Sequence, residues 1–244
     1  MSKLKGGEMI CRVADLFVSV PESGGLEKRC RPYLAEDGAA AEIIIKEELY
    51  NEAHWPGLKG DDVAYMDSGW QFYVALMRRG GMMLHSSAVV LDGKAYLFSG
   101  PSGMGKSTHT RIWQKEFPGA VVINDDKPAL RKIDGVWYAY GTPWCGKDGI
   151  NINTRAPLAG ICFLRRGEEN KIRRLSPVEA VAAVMTQTLW RCKTPEALSV
   201  LTDIVDKLVR DIPIYELYNR PEPAAAHLSY RTMSGADCED KNED

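Results

Sequence analysis

The chain has 244 residues, of which 45% are hydrophobic, so it is long enough for one large domain or two small ones with a buried core. Its 31 basic residues face 33 acidic ones, for a net charge of -2. This balance excludes the strongly basic surface of typical nucleic-acid and membrane-surface binders, and the length excludes a small scaffold that depends on disulfides.

Six cysteines are scattered through the sequence, at positions 11, 30, 145, 162, 192 and 238. They show no C-x-x-C spacing, so we predict neither a zinc site nor a disulfide framework, and a reducing compartment fits best. The N-terminus lacks the apolar run of a signal peptide, and no window approaches the roughly 18 apolar residues of a membrane span. We therefore expect a cytoplasmic protein with no membrane and no nucleic-acid partner.

Residues 1–80 are predicted to form an N-terminal β layer and one helix. Apolar stretches of strand length run from Ile10 to Val20 and from Ala40 to Ile45, and segments rich in turn residues separate them. Between Met66 and Arg79 apolar side chains recur at helical spacing, and Gly80-Gly81 ends the helix. We expect this layer to pack on the core that follows.

Residues 81–232 are predicted to form the core, and its first part has the pattern of β structure. Apolar runs between Met83 and Ser99 flank Asp92-Gly93, a dipeptide that type I′ turns prefer because both central residues need positive φ, so a β-hairpin is predicted. A second hairpin is predicted to turn at Asp134-Gly135. The other predicted strands span 121–123, 129–133, 136–140 and 158–164.

The last part of the core has the pattern of helices. Ser176-Pro177-Val178-Glu179 places an N-cap, a first-turn proline and a capping-box glutamate in order, which predicts a helix to about Trp190. Thr194-Pro195-Glu196 begins a second helix to about Arg210. A short strand at 213–218, a terminal helix from Pro223 and a disordered acidic tail at 233–244 complete the prediction. The fold class is mixed α/β: a mixed β-sheet core with flanking helices and an N-terminal β layer.

The strongest motif is the run from Gly100 to Ser107, GPSGMGKS, a full match to the phosphate-binding pattern G-x-x-x-x-G-K-[ST]. A predicted strand precedes it and a helical run follows it, as the pattern requires. The glycines let backbone N–H groups turn toward a phosphate, the lysine adds a positive charge, and the serine hydroxyl is a ligand for Mg²⁺. The nucleotide-binding residues predicted here are Gly100, Ser102, Gly103, Met104, Gly105, Lys106, Ser107 and Thr108.

An acidic pair, Asp125-Asp126, follows the apolar strand 121–123. Phosphate-bound Mg²⁺ needs a second anchor, and P-loop proteins supply it with an acid at the end of such a strand. Two adjacent carboxylates point in different directions, so one faces the metal and the other faces the acceptor. We predict Ser107 and one of these two aspartates as metal ligands. The alternative is that the pair only caps the turn before Pro128.

Two further features accompany the motif. His85 lies in the predicted strand 83–88 beside the phosphate-binding strand, either as a catalytic group or as a hydrogen-bonded core residue. The segment from Gly141 to Gly149, GTPWCGKDG, is too rich in glycine and proline for a regular element, so it is a functional loop or a plain surface connection. Cys145 is expected to be a packed residue and not a nucleophile, because no histidine lies near it in the sequence.

The combination HSSAV from His85, GPSGMGKST from Gly100 and INDD ending at Asp126 resembles the HPr kinase/phosphorylase family, with its phosphoenolpyruvate-carboxykinase type of P-loop fold. The resemblance covers a third of the chain. It implies ATP and Mg²⁺ as cofactors held by Lys106 and Ser107, Asp125 as the base toward a serine hydroxyl, and an assisting role for His85. The resemblance therefore implies Lys106, Asp125 and His85 as catalytic residues, and it leaves Asp126 as the metal ligand beside Ser107.

The sequence also departs from that family. Thr108 stands where the family has a glutamate after the Lys-Ser pair, and the family's metal-binding glutamate signature has no counterpart in 138–153. The separate N-terminal domain of the bifunctional enzymes is not recognisable, which leaves HPr as substrate and the reverse phosphorolysis open. The chain resembles the short stand-alone members, which are kinases for serine-bearing peptides or proteins.

The sequence thus predicts an ATP-dependent kinase with a Ser/Thr hydroxyl of a peptide or protein as acceptor, bound between the P-loop and the loop 141–149 against Trp144. A small polyol is an alternative acceptor, because its site needs several hydrogen-bonding side chains and Thr142, Lys147 and Asp148 could supply them. A carboxykinase is disfavoured by the short chain, and an ATP-gated peptide-recognition module without chemistry is a further alternative. The oligomeric state, including a homo-oligomer, is left open. Five arginines could bind an anionic acceptor or the γ-phosphate, or could belong to a solvated strand end, which we favour for the last two: Arg155, Arg165, Arg166, Arg173 and Arg174.

Overall fold

The computed structural model describes residues 7–23, 25–188 and 194–235, and these residues form twelve strands and six α-helices. The strands are β1 (Glu8–Val13), β2 (Leu16–Pro21), β3 (Ile43–Ile44), β4 (Met82–Met83), β5 (Ser86–Leu91), β6 (Lys94–Ser99), β7 (Val121–Asn124), β8 (Ala129–Ile133), β9 (Val136–Tyr140), β10 (Arg155–Arg166), β11 (Lys171–Arg174) and β12 (Ile214–Asn219). The helices are α1 (Leu26–Cys30), α2 (Asp61–Met77), α3 (Lys106–Glu116), α4 (Pro177–Gln187), α5 (Pro195–Asp211) and α6 (Pro223–Ser234). The predicted mixed α/β class is confirmed.

The N-terminal sheet has three strands in the order β1-β2-β3. The apolar stretch 10–20 was expected as one strand-length run, but it contains a hairpin, because Ala14 and Asp15 both adopt positive φ (52° and 59°) and reverse the chain. Neither residue is glycine or asparagine, which is why the sequence did not signal the turn. The second predicted stretch, 40–45, contributes only the two residues of β3.

The large sheet is organised around β10, which pairs with different neighbours along its length. Its first residues, Arg155 to Pro157, pair antiparallel with β9, which continues through β8 to β4. Its remaining residues pair in parallel with β6 on one side and with β12 on the other. On the β6 side the sheet continues through β5 to β7. One strand therefore joins an antiparallel meander to the mixed sheet that carries the glycine-rich motif 100–107.

Helices cover both faces of the mixed sheet. Alternate residues of a strand point to opposite faces, and apolar side chains on both faces are buried against these helices. On β6, Tyr96 and Phe98 face the cluster formed with Trp113 of α3 and Ala226 of α6. The intervening Leu97 faces the larger cluster, which also contains buried side chains of α2, α4 and α5. No helix within the described residues has both the length and the apolar character needed to cross a bilayer.

Both predicted hairpins are present, with Asp92-Gly93 and Asp134-Gly135 at positive φ. The strand predicted at 83–88 is wrong in one respect. Met82–Met83 is a separate strand that pairs with β8, and His85 lies at the bend before β5. The bend occurs because the chain leaves one part of the sheet and enters another at this point.

The C-terminal helices begin as their caps predict. Ser176 and Glu179 form the reciprocal capping box of α4, and Thr194 caps α5. Helix α4 ends at Gln187, and the predicted end near Trp190 lies outside the described residues. The sequence did not signal β11, a short and largely exposed strand that pairs with β12. The disordered tail was predicted to begin at residue 233, but helix α6 runs to Ser234 with Met233 buried, and the rest of the predicted tail from residue 236 onward lies outside the described residues.

Candidate functional site

Three predicted site segments meet at one edge of the mixed sheet. Strands β6 and β7 run in the same direction and β5 lies antiparallel between them, so the ends of β6 and β7 and the start of β5 share that edge. Two hydroxyl groups tie these ends together. Ser99 Oγ donates to the carbonyl of His85 (2.8 Å), and Ser87 Oγ donates to the carbonyl of Asp125 (3.1 Å). The topology therefore brings together the glycine-rich loop 100–107, the acidic pair and His85.

The glycine-rich loop has the backbone that an anion cradle requires. Gly103 and Gly105 have φ values of 76° and 98°, a region that residues with a Cβ rarely adopt. Helix α3 begins at Lys106 directly after Gly105, and no side chain of the described residues caps its N-terminus. The first N–H groups of α3 are thus left available at the positive end of the helix dipole.

Lys106 lies folded against its own loop. Its Nζ donates to the carbonyls of Gly100 (2.8 Å) and Pro101 (3.3 Å), and only 8% of the residue is exposed. Burial lowers the pKa of Lys106, and the nearby charge of Asp126 opposes this shift. The ammonium group therefore lies within the electrostatic range of the acidic pair, and its present partners are backbone carbonyls.

Asn124, at the end of β7, positions the acidic pair. Its Oδ1 accepts hydrogen bonds from the backbone N–H groups of Asp126 (3.0 Å) and Lys127 (2.7 Å), which forms a turn of the Asx type. Its Nδ2 donates to the carbonyl of Thr142 (3.0 Å). One buried amide thus fixes both the acidic turn and the loop 141–149.

The Asp125 carboxylate faces the loop 141–149. It accepts hydrogen bonds from the backbone N–H groups of Gly146 (2.5 Å) and Asp148 (3.1 Å). Gly146 is needed for this approach, since a Cβ at that position would lie 2.9 Å from the carboxylate. Burial raises the pKa of Asp125, and the two backbone hydrogen bonds only partly oppose the increase.

The Asp126 carboxylate lies between two basic side chains. Its Oδ1 is 3.2 Å from His85 Nε2, and its Oδ2 pairs with Lys127 Nζ. Burial works against ionisation here, but the hydrogen bond from His85 and the charge of Lys127 outweigh it and hold the pKa of Asp126 at about 2. On its other side, His85 Nδ1 lies 3.2 Å from Gln187 Oε1. Asp126 is therefore a permanent anion at neutral pH.

These groups line one open cleft of about 550 Å³. It contains most of the predicted nucleotide-binding residues together with His85, Asp125 and Asp126. Arg111 and Asp148, which also line it, form an ion pair with Nη2 2.7 Å from Oδ2. Arg111, Asn124 and Lys127 were not predicted from the sequence, although Arg111 follows Ser107 by one helical turn and an asparagine at a strand end is typical of an Asx turn.

The expectation that Trp144 forms a wall of this cleft is wrong. Trp144 is completely buried, its ring stacks on Phe72 with centroids 4.7 Å apart, and its Nε1 donates to Ser68 Oγ (3.0 Å). Residues 146–148 line the cleft instead. The loop is buried from 141 to 145, where the Asn124 amide donates to the carbonyls of Thr142 and Trp144, so the composition typical of a surface loop was misleading here.

Two smaller expectations concern the same loop. Cys145 is a packed residue, 3% exposed, and burial raises the pKa of its thiol. Thr142 is fully buried and its hydroxyl donates to the carbonyl of Lys127 (2.7 Å), so it does not face the cleft as a polyol ligand would require. Among the described residues, Cys11, Cys30, Cys145 and Cys162 are buried free thiols, whereas Cys192 and Cys238 lie outside the described residues.

Of the arginines offered by the sequence, Arg166 contacts the glycine-rich loop, with Nη2 3.3 Å from the carbonyl of Gly103. Arg155 pairs with Asp15 and Tyr140 beside the N-terminal sheet. Arg165 and Arg173 both pair with Glu216 of β12. The structure therefore brings one of these side chains to the site.

A family model described as SynChlorMet cassette protein ScmC matches residues 61–220, which run from the start of α2 to just beyond β12. The chain belongs to the ScmC family. The region that matches ScmC includes the cleft and every residue named in it. No curated protein matches the chain. Among solved structures, the HPr(Ser) kinase/phosphatase from Coxiella burnetii is similar at 13% identity with a TM-score of 0.36, over 66% of this chain and 99% of that one.

Proposed function

We propose that this chain is an ATP-dependent kinase that transfers the γ-phosphoryl group of Mg-ATP to a serine or threonine hydroxyl of a peptide or protein. The observation that carries the proposal is the position of the glycine-rich loop and the start of α3 opposite Asp125 and Asp126 in one cleft. A phosphate cradle and a pair of carboxylates in one cleft are the parts that phosphoryl transfer needs.

The phosphates of ATP bind in this proposal to the N–H groups of the loop and of the first turn of α3. Lys106 exchanges its two carbonyl partners for phosphate oxygens, a gain because an ammonium–phosphate hydrogen bond is stronger than one to a neutral carbonyl. A neighbouring cavity of about 380 Å³ shares Gly103, Gly105 and Thr108 with the cleft and also contains Met104 and Arg166. It suits the nucleoside part of the same ligand.

The side chains of the cleft fit Mg²⁺, because Ser107, Asp125 and Asp126 supply the hard oxygen donors that this ion prefers. Ser107 and Asp126 would hold it, as the sequence predicts. When bound, the ion would neutralise part of the negative charge of the phosphates. Asp126 suits this role because its pKa of about 2 keeps it ionised, although a metal must compete with Lys127 for the carboxylate.

Asp125 suits the role of general base. Its raised pKa makes it a better proton acceptor than Asp126, and the N–H groups of Gly146 and Asp148 hold its carboxylate in one orientation. In the proposed reaction Asp125 removes the proton of the acceptor hydroxyl as the oxygen attacks the γ-phosphorus, and the bond from that phosphorus to the bridging oxygen breaks to release ADP. His85 and Lys127 hold Asp126 in place beside it.

The acceptor class is tested by incubating the protein with ATP labelled in the γ-phosphate and a mixed pool of Ser/Thr peptides and metabolites. We expect label on a peptide hydroxyl, identified by mass spectrometry, and no label with Lys106→Ala. Label only on a sugar, an amino acid or a carboxylate would contradict the peptide acceptor and favour a small-molecule kinase. ATP binding without any labelled product would favour a recognition module.

A further inference from the structure

We call the cleft of about 550 Å³ the phosphate cleft, after its proposed ligand. A second cavity lies on the other side of His85 from it. Its volume is about 260 Å³, and we call it the tryptophan cavity because Trp55, Trp70 and Trp144 line it. Helix α2 supplies much of its wall through Tyr65 and Met66. The end of α4, residues 186–188, lines it as well. The proposed phosphoryl transfer gives this cavity no role.

The shape of the tryptophan cavity depends on Gly69. A Cβ at this position would lie 2.8 Å from Cδ1 of Trp144, so only glycine lets that ring approach α2 so closely. Trp144 is held there by Phe72 and Ser68, the residues on either side of Gly69 on the helix surface. The aromatic wall is therefore built by close packing and does not need a ligand to form it.

His85 connects the two cavities. It lines both the tryptophan cavity and the phosphate cleft, and its Nε2 contacts Asp126 on the cleft side. Lys127 lines the tryptophan cavity, but its charge is already paired with Asp126 and its Nζ lies 5.4 Å from the centre of the Tyr65 ring. An acidic ligand group would thus gain little in this cavity, and an uncharged apolar group suits its walls.

We propose that the tryptophan cavity receives an apolar side chain of the acceptor peptide, from the residue next to the serine or threonine that is phosphorylated. The proposal rests on the proposed kinase function. The volume is below the roughly 300–1,000 Å³ of sites for whole small molecules, and it suits one large side chain. His85 lines both cavities, and successive side chains of an extended peptide point in opposite directions, so in this proposal one side chain enters the tryptophan cavity while the neighbouring hydroxyl faces Asp125 in the cleft.

Two peptide series test this proposal, each with a single serine and one variable residue directly before or after it: Leu, Phe, Gly, Asp or Lys. We expect the KM of the Leu and Phe peptides to be about ten- to hundredfold lower than that of the Gly peptide in one series, because the cavity removes the apolar side chain from water. The KM of ATP is expected to stay the same. Equal KM values for Leu, Gly and Asp peptides in both series would overturn the proposal.

Met66→Glu places a charge in the cavity wall at a half-buried position, so the fold is expected to survive. This variant should lose the preference for Leu and Phe, with ATP hydrolysis in the absence of peptide unchanged. Val178→Glu makes the same change at a position that is 81% exposed on α4, and it should keep the preference. A preference that persists in Met66→Glu, or disappears equally in both variants, would count against the cavity.

Peptides with alanine in place of serine separate this proposal from the kinase function, since they bind without accepting phosphate. Tryptophan fluorescence reports their binding, because the partly exposed indole rings of Trp55 and Trp70 line the cavity. If no serine peptide is phosphorylated, the kinase proposal fails. Binding of the alanine peptides that still favours Leu and is lost in Met66→Glu would support the apolar peptide site, and binding of free indole without any peptide preference would overturn it.

Discussion

The imidazole Nε2 of His85 lies 3.2 Å from the carboxylate Oδ1 of Asp126. The contact links the bend before β5 to the turn after β7. It places His85, whose role the sequence alone left open, at the centre of the site. His85 also contacts Gln187 at the end of α4. Its ring is thus held between the acidic turn at Asp126 and the end of helix α4.

Lys106→Ala tests the phosphate cleft. We expect ATP affinity to fall by at least about tenfold, because a charged hydrogen bond contributes roughly 1.5–3 kcal/mol. Lys106 is buried against Gly100 and Pro101, so a small decrease in melting temperature is expected as well. Calorimetric titration with ATP and thermal melting measure the two effects.

Lys115→Ala is the matched control, since Lys115 is an exposed lysine at the far end of the same helix. It should leave both ATP affinity and melting temperature unchanged. Normal ATP turnover by Lys106→Ala would contradict the assignment of the loop as a nucleotide site.

Asp125→Asn and Asp126→Asn are expected to fail in different ways. Asp125→Asn should keep Mg-ATP binding and lose phosphoryl transfer, because it removes the proton acceptor. Asp126→Asn should raise the Mg²⁺ concentration needed for half-maximal rate, because it removes a metal ligand. Mg²⁺ titrations of turnover compare the two variants, and identical profiles would show that the division of roles is wrong.

Acid unfolding reports on Asp126 without any substrate. Its pKa is about 2 in the folded protein against an ordinary value of 3.8, so its ionised form stabilises the fold above about pH 4 and this contribution is lost as the pH falls toward 2. We expect the difference in unfolding free energy between wild type and Asp126→Asn to shrink by about 2 kcal/mol over that interval. Urea unfolding at several pH values measures it.

Asp125→Asn is the control for this experiment, because the pKa of Asp125 is shifted upward. For an acid with a raised pKa, the wild type gains stability relative to the variant as the pH falls through the folded pKa. The two differences should therefore change in opposite directions. A parallel change would show that general acid denaturation, and not the individual carboxylates, determines the result.

Trp144→Ala is expected to destabilise the protein and not simply to weaken acceptor binding. The ring is fully buried and stacked on Phe72, and truncation of a large buried aromatic side chain costs about 3–5 kcal/mol. For a chain of this size we expect the melting temperature to fall by roughly 10 °C. Trp144→Phe retains the stacking and should lose much less, and a Trp144→Ala variant with a wild-type melting temperature would contradict the buried position.

The features that the sequence predicted correctly are those determined by neighbouring residues. Asp92-Gly93 and Asp134-Gly135 form their turns because aspartate and glycine adopt positive φ more readily than most residues, and the turn needs positive φ at both positions. The caps at Ser176 and Thr194 are local in the same sense. The glycine-rich loop follows a strand and begins a helix, as the motif requires.

The features that it did not predict depend on partners distant in the chain. The pairing of β10 with three different strands has no local signature. The burial of Trp144 depends on Asn124 and on Gly69, which lie in other elements. The contact of Asp126 with Lys127 involves neighbours, but the one with His85 requires the sheet order to be known.

The side chain of Asn124 spans the distance between the acidic turn and the loop that carries Trp144. Its oxygen holds the N–H groups of Asp126 and Lys127, and its nitrogen holds the carbonyl of Thr142 and lies 3.4 Å from that of Trp144. A displacement of the loop backbone at Thr142 or Trp144 would therefore reach the acidic turn through a single amide. This amide joins the loop that forms one wall of the tryptophan cavity to the turn that forms one wall of the phosphate cleft.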